Sequence, residues 1–165
     1  MDQKKILTNS QIKRKIKRIS LQIIESNVEE KEVILAGIEQ NGFHLAKELN
    51  KMIIELSNLN IKLCSLKIDK KNPLKNISTS LNSSEYKNKS IVVVDDVLNS
   101  GSTLMYAVKH FLDTELRQLK TAVLVDRNHK KYPIKADFKG VSLSTSIQNH
   151  VKVQFDKSSI EAFLL

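Results

Sequence analysis

The chain predicts an α/β fold with a mainly parallel central sheet flanked by helices, and three observations carry that prediction. Short apolar runs recur at residues 33–37, 91–94 and 121–125, each too short for a helix of ordinary length. The runs are continuous rather than alternating, as strands covered on both faces require. Between them lie stretches with apolar residues at helical spacing, and strands alternating with helices build a parallel sheet whose ligands sit at the carboxyl ends of the strands. The 165 residues match one domain, spanning 1–165, able to bury a core without staples.

The elements follow in order. Ile12, Ile16, Ile19 and Ile23 stand at helical spacing with Thr8 or Ser10 placed to cap, which predicts an amphipathic helix over 10–25 with a basic outer face. The run 33–37 is a strand ending at glycine, and a helix follows Gly42 through Phe43, Ala46, Leu49, Ile53 and Leu56. Residues 61–68 alternate as a strand that holds Cys64 as a small core residue, while 69–89 are polar, contain Pro73 and read as loop. The run 91–94 is a central strand, and a helix continues through Leu104, Ala107, Val108, Phe111 and Leu112 to the strand at 121–125. Residues 126–149 break the pattern with Pro133, Gly140 and a Ser/Thr-rich tract, and 151–155 alternate as a last strand before a short C-terminal segment.

Composition sets outer limits. With 41% hydrophobic and 27% charged residues the chain is of the soluble globular type, not disordered, collagen-like or fibrous. Its single cysteine excludes an intramolecular disulfide and a cysteine-based zinc site, which points to a reducing compartment and a cytoplasmic location. No apolar run approaches the roughly 20 residues of a membrane span, and no apolar signal core follows the N-terminus, so no membrane partner is expected. The net charge of +9 attracts phosphates, whether on small substrates or on nucleic acid. Seven Lys/Arg fall within residues 1–20 and five Lys within 62–75. Such clusters also arise as plain solvated faces, and charge alone does not choose between these readings.

Chemistry concentrates after the central run. Asp95 and Asp96 are adjacent carboxylates at a strand's end, followed by Asn99, Ser100, Gly101, Ser102 and Thr103 and then a helix. Gly101 allows close backbone approach, and the hydroxyls stand beside the free N–H groups of a helix start, which suits a phosphate monoester. Carboxylates that accept from sugar hydroxyls next to such a cradle make a ribose-phosphate site. The blander alternative is an acidic turn with a Ser-rich cap.

Residues 91–103, IVVVDDVLNSGST, resemble the phosphoribosyl pyrophosphate (PRPP) motif of the type I phosphoribosyltransferases at every constrained position. The resemblance extends over most of the chain, within that family, to the bifunctional pyrimidine operon attenuation regulators that are also uracil phosphoribosyltransferases. It is carried by Ile12-Lys13-Arg14 with Arg18-Ile19, by Ala36-Gly37-Ile38 through Gly42, by residues 122–129 with 133–138, and by Thr145-Ser146 with Val151-Lys152-Val153.

The resemblance implies a type I phosphoribosyltransferase fold with a small hood, to which the first helix and residues 126–149 contribute. It implies that Asp95 and Asp96 hold the ribose hydroxyls and, through water, Mg2+ bound with PRPP, and that Asn99 to Thr103 wrap the 5′-phosphate. Gln40, Asn41 and Gly42 stand for the pyrophosphate loop, where relatives usually carry Thr-Arg-Gly. Lys70 and Lys71 stand in a catalytic loop that is shorter than the regulator's and lacks its Arg, as point charges in place of a guanidinium. Val125, Asp126, Arg127 and His129 match the base-binding segment; Asp126 and Arg127 also read as a surface pair. The family often has Asp where this chain has Asn99, and the loss of that acid disfavours a purine. The expected reaction is transfer of the phosphoribosyl group to a nucleobase, uracil first, with release of pyrophosphate by a homo-oligomer. The alternatives are an RNA-binding regulator, with Lys13, Arg14, Lys17 and Arg18 on the outer face of the first helix, and a non-catalytic nucleotide sensor using the same site. His44, His110 and His150 lack metal-ligand spacing, and His110 near a helix end reads as solvated or capping.

Overall fold

A computed structural model describes residues 3–144, 146 and 149–165. In chain order its elements are β1 (Lys4–Leu7), α1 (Asn9–Glu25), β2 (Glu32–Ile38), α2 (Asn41–Leu56), β3 (Asn60–Lys67), β4 (Ser78–Thr79), α3 (Ser83–Tyr86), β5 (Ser90–Leu98), α4 (Ser102–Leu112), β6 (Gln118–Arg127), β7 (Phe138–Leu143), β8 (Val151–Phe155) and β9 (Ile160–Leu164). Thr8, one of the two expected caps, accepts from the Gln11 main chain while the Gln11 side chain reaches back, closing a capping box at the start of α1. The four isoleucines of the expected stripe are all buried.

The main sheet runs β4-β3-β2-β5-β6-β7. All its pairings are parallel except the two-residue edge strand β4. The continuous runs of β2, β5 and β6 are buried because helices cover both faces. One apolar cluster joins Ile12, Ile16, Ile19 and Ile23 of α1 and Leu45, Leu49 and Ile53 of α2 to Val33, Leu35, Val92 and Val94. The opposite cluster joins Leu104, Ala107 and Phe111 of α4 to Ile34, Ala36, Ile91, Val93 and Val123. Cys64 lies in this second cluster, fully buried, as expected for a core residue.

The segments read as irregular hold three further elements. Within 69–89, β4 pairs with the end of β3, and the box between Asn82 and Glu85 starts α3, whose Tyr86 packs edge-on against Phe111. Within 126–149, Phe138 and Gly140 turn inward as β7; Gly140 lies so close to β6 that a Cβ there would sit 2.4 Å from the Leu124 carbonyl oxygen.

The expected makeup of the hood is corrected. α1 belongs to the core beneath the main sheet and β7 to the sheet itself, because their apolar faces are buried there. A separate three-stranded antiparallel sheet, β1-β9-β8, is formed instead by strands near the two ends of the chain. No helix among the described residues is long and apolar enough to cross a membrane.

Candidate functional site

β5 continues past its apolar run, so Asp95 and Asp96 lie inside a strand rather than beyond it. Its ladder with β2 ends at Gly37↔Val94, while the ladder with β6 goes on through Asp95↔Val123, Val97↔Val125 and Leu98↔Asp126. The two carboxylates therefore stand where one flank of the strand opens. The start of α2 fills that opening. A Cβ on Gly42 would lie 2.5 Å from the Val94 carbonyl oxygen and 3.0 Å from the Asp95 Cα, so only glycine fits without displacement.

Neighbouring residues on a strand face opposite ways, and the carboxylates have different partners. Asp96 Oδ2 accepts from the Asn41 side-chain amide at 2.8 Å, and the same amide nitrogen donates to the Val153 carbonyl of β8 at 3.1 Å. Asp95 Oδ1 accepts from the Asp96 main chain at 3.0 Å and lies 3.7 Å from the Lys70 ammonium. Both side chains are buried. Burial first, and then the charge of Asp96, push the Asp95 carboxyl up to about 7 against the pull of Lys70.

Beyond β5 the chain turns at Gly101, whose φ of 86° places it in the left-handed region as the N-cap of α4. A Cβ there would also meet Ile134 at 2.6 Å. The Ser100 carbonyl accepts from the main chains of Lys131 and Tyr132 at 2.8 and 3.1 Å, which fastens the loop to the segment after β6. Lys70, Asp95, Asn99, Ser100, Gly101 and Thr103 line a small pocket of about 80 Å3 at the N-terminal end of α4, where main-chain N–H groups favour an anion. Ser102 is the first residue of α4, partly exposed, and its N–H donates to Ser100 Oγ at 3.3 Å.

Lys70 and Lys71 separate. Lys70 joins the pocket, while Lys71 is exposed and its main chain donates to Asp69 Oδ1 at 2.9 Å. Asp69 also accepts from Asn72 N–H and from the Lys75 ammonium, contacts that hold its carboxyl below the usual range, Lys75 first. This turn aims Lys70 at Asp95. Sequence reasoning gave Asp69 no part, although an Asp followed by a polar turn is a signal of such a bend. It also placed Asn41 only in the pyrophosphate loop, with no tie to Asp96. Gln40 is exposed just before α2, and the Glu39–Gln40 peptide bond is cis.

The segment after β6 divides as well. Arg127 is buried and donates to Asn99 Oδ1 at 2.9 Å and to the Ser146 carbonyl at 3.2 Å, beside the phosphate-type loop. Asp126 is buried on the other side of the strand, paired with Lys130 at 2.9 Å and Lys139 at 3.3 Å. The reading of the two as a surface pair is thereby corrected. Val125 packs its side chain in the core and is register-paired on both flanks, so its main chain lies within the sheet. His129 is partly buried two residues beyond Arg127. His110 is half-buried against Phe111, and burial lowers its pKa, which replaces the solvated reading. Thr145 lies outside the described residues. No group of three or more His, Cys, Asp or Glu among the described residues is placed to hold a metal ion by itself.

Comparison with known proteins decides the family. The model of the phosphoribosyl transferase domain matches residues 2–158. The chain belongs to the type I phosphoribosyltransferases. Among relatives of this phosphoribosyltransferase, the bifunctional protein PyrR of Bacillus pumilus is 35% identical over 170 residues, covering 95% of this chain and 93% of the relative. That of Pediococcus pentosaceus is 33% identical over 161 residues, covering 92% and 91%. A crystal structure of a hypoxanthine-guanine phosphoribosyltransferase from Bacillus anthracis shares the fold with a TM-score of 0.78 at 18% identity, covering 97% of this chain and 96% of that one. The hypoxanthine phosphoribosyltransferase of Trypanosoma cruzi does so with 0.76 at 16%, covering 96% and 95%.

Proposed function

We propose that this phosphoribosyltransferase binds PRPP with Mg2+ and transfers its phosphoribosyl group to a pyrimidine base, uracil, releasing pyrophosphate. The observation that carries the reading is one pocket holding Asp95 with Asn99, Ser100, Gly101 and Thr103 at the open end of β5, with Lys70 facing Asp95 and Asp96 next to it on the strand, turned to Asn41. In it, the bond from the anomeric carbon to pyrophosphate breaks as the ring nitrogen bonds to that carbon and sheds its proton. Positive charge grows on the sugar while negative charge grows on the leaving group. The chain's part is then positioning and charge compensation.

The 5′-phosphate would rest on the N–H groups and hydroxyls of residues 99–103, with the ribose hydroxyls on Asp95 and Asp96. Lys70 and the start of α2 at Asn41 and Gly42 would face the pyrophosphate. Two crowded, buried carboxylates, one of them pushed toward neutrality, are a donor set that hydroxyl donors and a hard cation relieve. Mg2+ supplies neutralisation of charge on the leaving group. With no third carboxylate or histidine grouped there among the described residues, its remaining ligands would be substrate oxygens and water. Arg127, Asn99 and His129 would face the base.

The test is pyrophosphate release from PRPP and Mg2+ with uracil, with orotate, hypoxanthine, guanine and adenine as parallel acceptors. Turnover with uracil alone is expected. Silence with every base, in a protein that still binds PRPP, transfers the reading to a nucleotide sensor.

A second reading, an RNA-binding regulator, is favoured by the exposed cations Lys13, Arg14 and Lys17 of α1. Burial and the charges of Arg18 and Arg14 lower the Lys15 pKa, which marks how densely positive that helix is. Arg18 is less available, since its guanidinium donates to the carbonyls of Lys139 and Gly140. Filter binding to messenger leaders tests it. Affinity indifferent to both sequence and uridine nucleotide reduces it to charge attraction. The family resemblance also supports a homo-oligomer in the cytoplasm, which sedimentation and fractionation would check.

A further inference from the structure

A second pocket, of about 460 Å3 and sharing no lining residue with the Asp95 pocket, lies between the N-terminal half of α1, the outer face of α2 and the turn joining β8 to β9. Its walls carry Lys13 from α1, Lys47 and Lys51 from α2 and Lys157 from the turn, so the cations converge from three separate elements. Two acids, Glu48 and Asp156, also line it. Glu48 is engaged with Lys51 at 2.6 Å, and the Lys47 ammonium lies 5.2 Å from the Phe43 ring centroid, a contact a phosphate would draw it from, which leaves Lys13, Lys47 and Lys157 against Asp156. A stacked aromatic pair borders the cations. His44 and Phe155 stack with ring centroids 5.6 Å apart and planes 24° from parallel, and neither ring is fully buried.

We propose that this pocket binds a nucleoside di- or triphosphate, distinct from the PRPP site. The volume lies within the range of small-ligand sites. A polyphosphate would span the three lysines, which neutralise part of its charge in a concave, partly desolvated setting. The base would extend the stack on the outer face of the His44–Phe155 pair, since stacking on aromatic side chains needs no particular base. Ser158 and Ser159 add hydroxyl donors at the rim. The ligand would join α2 to the β8–β9 turn. His44 stands one helical turn after Asn41, and Phe155 two residues after Val153, the two groups that the Asn41 amide ties together at the Asp96 site.

The experiment is calorimetric titration of the full chain carrying Asp95→Asn and Asp96→Asn, with ADP and with inorganic tripolyphosphate as probes. One equivalent of ADP bound in that background is expected. Adding Lys47→Ala with Lys157→Ala is expected to weaken ADP at least about tenfold, and adding Phe155→Ala to weaken ADP while leaving tripolyphosphate unchanged. Absence of ADP binding in the parent background, or equal affinity after loss of both lysines, overturns the proposal. Phe155→Ala without effect on ADP overturns its nucleoside part. Thermal unfolding of each variant verifies folding, and Lys157→Gln alone, at an exposed turn, serves if the double replacement does not fold.

Discussion

The side-chain amide of Asn41 donates to Asp96 Oδ2 at 2.8 Å. Its second bond, to the Val153 carbonyl, makes one nitrogen the link between the main sheet's carboxylate pair and the small sheet. Asn41, in the stretch that the resemblance assigns to pyrophosphate, thereby orients Asp96.

Replacing Asn41 by Ala removes a donor to a charged acceptor, and the unfolding free energy is expected to fall by about 1–2 kcal/mol. Asn41→Asp is expected to cost more, because it sets a carboxylate against Asp96. Urea titration measures both, and equal midpoints for wild type and Asn41→Ala would show that the amide holds nothing.

Gly42→Ala is expected to destabilise the protein by about 1–3 kcal/mol, since its methyl group would meet the Val94 carbonyl oxygen at 2.5 Å and backbone on both sides must shift. Because the Asp95 Cα is the next atom in its way, PRPP affinity should fall along with the urea midpoint.

Burial and then the charge of Asp96 push the Asp95 carboxyl up to about 7 in the folded chain, above its value of about 4 in an unfolded chain. The folded state therefore binds the extra proton between those limits, and stability drops as pH rises from about 4 through about 7. Asp95→Asn removes this dependence. Its melting temperature should exceed that of the ligand-free wild type at pH 8, and the difference should close by pH 4; a gap independent of pH would contradict the buried, charge-crowded setting.

Asp95→Asn combined with Asp96→Asn should abolish PRPP binding and leave the far-ultraviolet circular dichroism unchanged, because the replacements are of equal volume and the carboxylates are not part of either apolar cluster. Retained PRPP affinity would place the sugar site elsewhere.

Asn99→Asp would turn the bond from the Arg127 guanidinium to a neutral amide oxygen into an ion pair beside the base segment. With the acid restored that the family often carries there, turnover with purine bases relative to uracil should rise by about tenfold, equivalent to about 1.4 kcal/mol. The acceptor series measures it, and an unaltered ratio would remove Asn99 from base selection.

Much of this arrangement could be read from residue order alone. The isoleucine stripe of α1 and the apolar runs of β2, β5 and β6 are local patterns whose burial follows from their own periodicity, and the acidic pair with its Gly101 turn stands in one short stretch. Strands β1 and β9 could not be read so. Lys4 and Lys5 are exposed, and in β9 the buried Ile160 and Ala162 flank Glu161 over too short a stretch to announce a strand; each strand exists because the other pairs with it. The same holds for Asn41, whose two acceptors come from β5 and β8, and for Arg127, which meets Asn99 across the gap between two strands. Partners distant in sequence leave no periodic trace.

The pairing of Lys4 with Leu164 and of Lys5 with Phe163 also sets an order in time. The main sheet can gather from β2 to β7 as the chain lengthens, each strand finding neighbours nearby. The small sheet spans nearly the whole chain, and its contacts offset the entropy of closing that span only after the core has shortened it. During synthesis β1 must wait, unpaired, for residues 160–164 to emerge. The Val153 carbonyl that anchors Asn41 belongs to this late sheet, so the amide that holds Asp96 is itself fixed last.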